Sequence, residues 1–184
     1  MKVIKPKHAV DVKAPILSQP QFCLAAGVDM ATANNWIARK ILEPTEIGGR
    51  QIKGTRLYSI AKAFEGRIIG ELVQQRIGPA DAVQGHVGAR IAALATKGGW
   101  VEHWARALEA NRPYVTGFIV LAWSKGCYDG QWINGDDAGW PDFSSVANLQ
   151  RRFFDHPFLV LPVTSLFIDV WRKCMTMLSG EQKA

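Results

Sequence analysis

Apolar residues recur every three or four positions in two short stretches near the start of the chain. Three residues in each stretch carry this period: Phe22, Ala25 and Ala26 in the first, and Ala33, Trp36 and Ile37 in the second. Because an α-helix repeats every 3.6 residues, each set lies on one face of a helix. The pattern predicts a short helix through Ala26 and a second helix from about Met30 to Lys40.

The residues at the ends of these two stretches are typical of helix caps. Ser18 and Gln21 form a capping-box pattern, and Pro20 fits a first helical turn, where its missing N–H is not needed. Gly27 is placed to end the first helix, because glycine readily adopts the left-handed conformation. Asp29 is placed to cap the second helix. Two short helices joined by such a turn form a helix-turn-helix.

A hairpin is predicted after the second helix. Gly48 and Gly49 separate two segments that can form its arms, Glu43 to Ile47 and Arg50 to Leu57. A hairpin in this place is a wing. It carries three basic residues, Arg50, Lys53 and Arg56.

The remainder of the chain mixes helical and strand-like periods, which predicts an α+β fold. Ser59 is placed to cap a helix of roughly 18 residues, which Gly78-Pro79 ends. Four further helices are predicted, at 80–95, from the turn at 96–99 to Asn111, near 143–154, and over about 12 residues to Leu178. Strands are predicted at 114–124, 127–133 and 158–163.

These patterns divide the chain into four parts. The first 17 residues carry four lysines and two prolines without a clear period, which indicates an arm that is flexible or pairs as an edge strand. We therefore predict a basic arm at 1–15 and a winged helix-turn-helix at 16–77. A helical connector or dimerisation segment follows at 78–112, and an α+β part for dimerisation or regulation at 113–184.

The positive charge of the chain lies at one end. Residues 1–77 hold 12 Lys or Arg against 6 Asp or Glu, whereas residues 78–184 hold 10 against 10, so the net charge of +6 belongs to the first segment. Local positive charge attracts phosphate, which suits a nucleic-acid binder joined to a neutral partner segment. Many solvated surfaces are also basic, and charge alone does not decide between the two.

Several other classes of protein find little support in the sequence. Cys23, Cys127 and Cys174 are far apart and lack CxxC spacing, which argues against disulfides and zinc and for a reducing cytosol. The most apolar stretch, at 158–170, contains a proline and is shorter than the roughly 20 residues of a membrane helix, so a soluble protein is expected. No spacing of histidines, cysteines or acidic residues suggests an enzyme, a metal or a cofactor.

Two motifs resemble the MerR-type winged helix-turn-helix family. The first is "GVDMATANNWIARKIL" at 27–42, and the second is "GTRLYS" at 54–59, which is similar to the run that closes the family's wing. The matching positions are Gly27, Val28, Asp29, Thr32, Trp36, Arg39, Ile41 and Leu42 in the first motif, and Gly54, Arg56, Leu57, Tyr58 and Ser59 in the second. The resemblance covers residues 16–77.

The resemblance implies a bacterial or prophage-encoded transcriptional regulator in the cytoplasm, associated with the nucleoid. It implies a homodimer on double-stranded DNA, with helix 30–40 in the major groove and the wing against a neighbouring backbone or groove edge. The residues expected to contact DNA are Thr32, Asn34, Asn35, Arg39, Lys40, Arg50, Lys53, Arg56 and Tyr58. For Arg56, a structural role that ties the wing to the following helix is an equal alternative to DNA contact. For Tyr58, packing in the core is an equal alternative to a phosphate contact.

This chain departs from the family pattern at three sites. The family commonly has an arginine and an aromatic residue at the places of Asn34 and Asn35, and a glycine at the place of Lys40. Gly78-Pro79 interrupts the family's long dimer helix. The spacing of metal-sensing cysteines is missing, and nothing in the sequence supports a small-molecule effector.

Three alternatives stay open from the sequence. One is an excisionase-like architectural or recombination-directionality factor, and another is a protein-interaction module such as an adaptor or anti-activator. The third concerns the tryptophan-rich second half, which predicts a dimer interface or plain core in preference to a ligand pocket. Four of its tryptophans lie between positions 104 and 140: Trp104, Trp123, Trp132 and Trp140.

Overall fold

The computed structural model describes residues 10–47, 55–75, 99–114, 116–124, 127–134 and 158–180. Within these ranges the chain has an α+β fold, as predicted, with two small antiparallel sheets. The helices are α1 (Gln19–Ala26), α2 (Met30–Ala38), α3 (Ile60–Gln74), α4 (Trp100–Glu109) and α5 (Val163–Leu178). The strands are β1 (Leu17–Ser18), β2 (Glu46–Ile47), β3 (Arg56–Tyr58), β4 (Gly117–Ser124), β5 (Cys127–Asn134) and β6 (Phe158–Leu161).

The predicted caps of α1 and α2 are confirmed. Gln21 Oε1 accepts a hydrogen bond from the Ser18 N–H at 2.9 Å, which is the reciprocal half of a capping box. Gly27 ends α1 with φ at 71°, in the left-handed region. The Asp29 carboxylate accepts from the Thr32 N–H at 2.7 Å and so caps α2.

The end of α2 differs from the prediction, because the helix stops at Ala38 and not at Lys40. Lys40 has φ at 57°, and its N–H donates to the Ile37 carbonyl at 3.0 Å. The next N–H, of Ile41, donates to the Trp36 carbonyl at 2.8 Å. This pair of bonds is a Schellman motif, which closes a helix by turning one residue left-handed.

Helix α3 begins as predicted and is shorter than predicted. The Ser59 hydroxyl accepts from the Lys62 N–H at 3.1 Å, and the helix has 15 residues. Four of its apolar residues recur every four positions and are fully buried: Ile60, Phe64, Ile68 and Leu72. The repeat therefore places one face of α3 in the core.

Each of the two sheets has three strands within the described residues. In the first, β1 and β2 both pair antiparallel with β3, with Leu17 opposite Tyr58 and Ile47 opposite Arg56. In the second, β4 lies between β5 and β6 and pairs antiparallel with both, so the three predicted strands are confirmed. The strand β6 is shorter than predicted, because α5 begins directly after Pro162 and has 16 residues.

Residues 10–16 pack against the body of the protein. Val12 is 2% exposed, and its carbonyl accepts from the Ala61 N–H at the start of α3. Lys13 forms an ion pair with Glu102 on α4 at 2.6 Å, and the hydrogen bond and charge of Glu102 raise the pKa of the lysine. Among the described residues at the start of the chain, Leu17 and Ser18 form an edge strand, which was one alternative for the first 17 residues. Residues 1–9 lie outside the described residues.

A shared apolar core joins the helices. Helix α5 packs against both α1 and α3, although the sequence placed it in the C-terminal part. The rings of Phe64 and Phe167 meet edge to face at 5.5 Å, and those of Trp104 and Phe167 lie 5.6 Å apart. Of the predicted tryptophan cluster, Trp104 is buried in this core. The predicted helices at 80–95 and 143–154 lie outside the described residues.

Candidate nucleic-acid interface

Three polar side chains from three elements meet at Asn34 on the exposed face of α2. Gln19 Nε2 donates to Asn34 Oδ1 at 2.8 Å, and Arg56 Nη1 donates to the same oxygen at 3.2 Å. Arg56 Nη1 also lies 3.4 Å from Gln19 Oε1, as a longer hydrogen bond. We call Gln19, Asn34 and Arg56 the Asn34 network; it ties α1, α2 and β3 together.

The strand register explains how these residues meet. Ser18 pairs with Leu57 in the first sheet, so the next residues in the antiparallel direction, Gln19 and Arg56, are neighbours. Gln19 is the first residue of α1, and Asn34 lies on α2 across the turn at Gly27. The pairing of β1 with β3 therefore carries the Arg56 side chain to both helices.

Arg56 has a structural role, but its partners differ from the expected ones. The sequence suggested a tie between the wing and the following helix, which is α3. The structure instead joins the strand to α1 and α2, the two helices that precede it. Because Arg56 as a residue is half-buried, it is not closed off from an external partner.

Two neighbours of Asn34 have different surroundings. The Thr32 hydroxyl donates to Asp29 Oδ2 at 2.7 Å, so it belongs to the helix cap. Hydrogen bonds from Thr32 hold the pKa of the Asp29 carboxyl below its usual value. Asn35 is exposed, and its side chain has no hydrogen-bond partner among the described residues. Asn35 is therefore available to an external partner, and the Thr32 hydroxyl is already engaged.

The remaining predicted contact residues fall into three groups. Arg39 and Lys40 are exposed at the end of α2. Arg50 and Lys53 lie outside the described residues, in the segment that joins β2 to β3. Tyr58 is buried in the core.

Tyr58 packs against α1. Its ring is fully buried and stacks on Phe22 with centroids 4.3 Å apart. Burial raises the pKa of the Tyr58 hydroxyl, which has no hydrogen-bond partner within the described part of the chain. Of the two roles considered for Tyr58, packing is the one that the structure shows, because the buried hydroxyl does not reach the surface.

Gln19 is the member of the Asn34 network that the sequence did not indicate. Its partners lie 15 and 37 positions away along the chain, and no spacing rule joins such positions. A signal was nevertheless present in the edge-strand alternative for the first 17 residues. Pairing of that strand with the wing would have placed Gln19 beside Arg56.

The described residues carry little else that points to chemistry. Cys23 and Cys174 are buried free thiols, and burial raises the pKa of both, that of Cys174 to about 12. Thiols with raised pKa values are weak nucleophiles near neutral pH. In the described ranges, no group of three or more His, Cys, Asp or Glu side chains is placed to hold a metal ion.

Known protein families and curated sequences give no match to this chain. None of the described helices has the length and apolar character needed to cross a membrane.

Proposed function

We propose that this chain is a sequence-specific double-stranded DNA-binding transcriptional regulator of the MerR-like winged helix-turn-helix type. In this proposal α1 and α2 are the helix-turn-helix, β2 and β3 belong to the wing, and α2 enters the major groove. The regulator is bacterial or prophage-encoded, acts in the cytoplasm at the nucleoid, and binds as a homodimer.

The observation that carries the proposal is the Asn34 network. Docking of a helix and a wing on one duplex requires a fixed angle between them, because phosphate and base contacts must form at the same time. Arg56 supplies such a brace, since it joins the strand of the wing to both helices through Asn34 and Gln19. Asn35 stays exposed beside the brace and can present a donor and an acceptor to a base edge.

Charge supports the same proposal. The excess of 12 Lys or Arg over 6 Asp or Glu lies within residues 1–77, which include the Asn34 network. Arg39 and Lys40 are exposed at the end of α2. Positive groups at the edge of a groove-binding helix attract phosphates and make binding dependent on salt.

The test is binding of the full chain to DNA at several salt concentrations, followed by selection from random duplexes. We expect affinity to fall steeply with salt and the selection to yield one short inverted repeat. Sedimentation of the complex is expected to give two protein chains for each site. Binding that does not depend on salt, together with a selection that yields no preferred sequence, would contradict the proposal.

The same experiment separates the two alternative functions. Phased sites that the protein bends, located at a recombination junction, would indicate an excisionase-like factor. A chain that binds no duplex at low salt would favour the protein-interaction module. Both results would replace the regulator proposal.

A further inference from the structure

Arg56 determines the orientation of two side-chain amides. A guanidinium has only hydrogen-bond donors, so any atom that bonds to it must be an acceptor. The atoms that face Arg56 Nη1 are therefore the carbonyl oxygens of Asn34 and Gln19, at 3.2 and 3.4 Å. Because the Gln19 amide oxygen faces Arg56, its Nε2 faces Asn34 and donates to Asn34 Oδ1 at 2.8 Å.

The acceptor capacity of Asn34 is filled by this arrangement. A carbonyl oxygen has two lone pairs, and Asn34 Oδ1 accepts from both Gln19 Nε2 and Arg56 Nη1. The Asn34 Nδ2 group has no hydrogen-bond partner within the described residues, and the side chain is exposed. What Asn34 offers to an external partner is therefore a pair of N–H donors and no acceptor.

A donor-only amide reads DNA differently from an ordinary asparagine. The usual asparagine contact to adenine needs an oxygen that accepts from N6 and an N–H that donates to N7. Guanine presents two adjacent acceptors, N7 and O6, at the same edge of the major groove. A guanine edge therefore matches the group that Asn34 presents, whereas adenine places its amino group against a filled oxygen.

We propose that Gln19 and Arg56 are positioning residues that make Asn34 a donor-only contact, which selects guanine in the major groove. This inference rests on the proposed function, because it specifies how the same helix reads DNA. It assigns the adenine-type contact to Asn35, whose amide is unengaged in the described part of the chain.

The experiment compares selections from random duplexes for the full-length chain and three variants. Asn34→Ala identifies the base position that depends on this side chain. Gln19→Met has a similar length and removes one donor to Asn34 Oδ1. Gln19→Glu replaces that donor with a carboxylate, which only accepts and so draws the Asn34 N–H donors toward itself. A glutamate at the first position of α1 is favourable for the helix, so folding is preserved.

For the unchanged chain we expect guanine at the position that Asn34→Ala identifies. Gln19→Met is expected to reduce the preference for guanine over adenine by about five- to tenfold, because a freed oxygen can accept from adenine. Gln19→Glu is expected to move the preference toward adenine or cytosine, whose amino groups need an acceptor. A uniform loss of affinity from the added negative charge does not alter these ratios.

Failure of the inference and failure of the proposed function give different results. If the unchanged chain selects a sequence but has adenine at the Asn34 position, or if Gln19→Glu leaves its preference as it was, the inference is overturned and the regulator proposal stands. The same holds if Asn34→Ala affects no base position. If the unchanged chain selects no sequence at all, both are overturned.

Discussion

Lys40 occupies a position where glycine is favoured by the backbone. Its φ of 57° closes the Schellman motif at the end of α2, and a side chain destabilises that conformation. A glycine is common at this place in the family that the sequence resembles, and the geometry of Lys40 gives a physical reason for it. The lysine is exposed, so it can make contacts that glycine cannot.

Lys40→Gly is therefore expected to stabilise the protein by about 0.5–1 kcal/mol, because it removes the left-handed strain. The measurement is the free energy of unfolding in urea. Arg39→Gly is the matched control, since it removes the same charge at a residue whose φ is −87°. The control is expected to lose stability, and an equal gain in both variants would show that charge and not backbone strain is responsible.

Asn35 is the residue best placed for base contact under the proposed function. Asn35→Ala is expected to weaken binding to the preferred site by about 1–3 kcal/mol and to relax one base position. Gln74→Ala, which removes an exposed amide at the end of α3, is the control and is expected to leave binding unchanged.

Lys53→Ala provides a contrast to Asn35→Ala in the same binding assay. It is expected to weaken binding to all sequences alike and to reduce the salt slope by about 1. If Asn35→Ala instead weakened all duplexes equally, its side chain would not be reading bases.

At the scale of elements, α1 and α3 approach each other at Gly66. A Cβ atom at this position would lie 2.8 Å from Phe22 Cζ and 3.3 Å from Ala26 Cβ. Phe22 is itself fixed between Gly66 and the Tyr58 ring on which it stacks. The glycine therefore permits a close contact between α1 and α3, and Phe22 in that contact also packs against β3 of the first sheet.

Gly66→Ala is expected to destabilise the protein by about 1–3 kcal/mol, because the packed Phe22 ring must move. Gly70→Ala is the control on the same helix, where a Cβ would meet Val28 Cγ1 at an ordinary 3.5 Å. That variant is expected to be neutral or to gain up to about 1 kcal/mol from helix propensity. Thermal unfolding of both variants measures the difference. A similar loss of stability in both variants would mean that the close contact between Gly66 and Phe22 is not the cause of the destabilisation.

The elements that the sequence predicted well are those with local signals. The start of α2 follows from Asp29 and the start of α3 from Ser59, because a cap and its N–H partner lie three residues apart. The strand β1 has two residues and no period of its own, and it exists through pairing with β3. Gln19 depends on that pairing, so its place in the Asn34 network could not be predicted from spacing.

At the scale of the whole molecule, α5 completes the core of the helices near the start of the chain. Phe167 is fully buried and contacts the rings of Phe64 on α3 and Trp104 on α4. The sequence could not indicate this contact, because the period of a helix shows which face is buried and not what covers it. Residues separated by most of the chain therefore depend on each other for burial.

Phe167→Ala is expected to destabilise the whole protein by about 3–5 kcal/mol, because it opens a cavity among three helices. Unfolding followed by tryptophan fluorescence and by helical circular dichroism is expected to remain a single transition. Leu178→Ala is the control on the same helix, where the side chain is 43% exposed, and it is expected to change stability by less than about 0.5 kcal/mol. Two separate transitions in Phe167→Ala would indicate that α5 is not coupled to α1 and α3.

The buried Cys174 thiol makes the stability of this shared core depend on pH. Burial raises its pKa from 9.0 to about 12, so the folded protein keeps the thiol proton at pH values where the unfolded chain has lost it. The stability that this group contributes is complete below about pH 9 and is lost as pH rises toward 12. Tyr58 and Cys23, whose pKa values burial also raises, act in the same direction.

We therefore expect the free energy of unfolding to fall between pH 9 and 11, with Cys174 contributing a slope of up to about 1.4 kcal/mol per pH unit. Cys174→Ala is expected to be less stable at pH 8 and to show a smaller slope, because it lacks the group whose proton is released. Leu178→Ala is the control, since it lies on the same helix, is 43% exposed and removes no titrating group, and it is expected to keep the slope of the unchanged chain. Urea unfolding at four pH values measures the slopes. An unchanged slope in Cys174→Ala would show that alkaline unfolding begins elsewhere in the core.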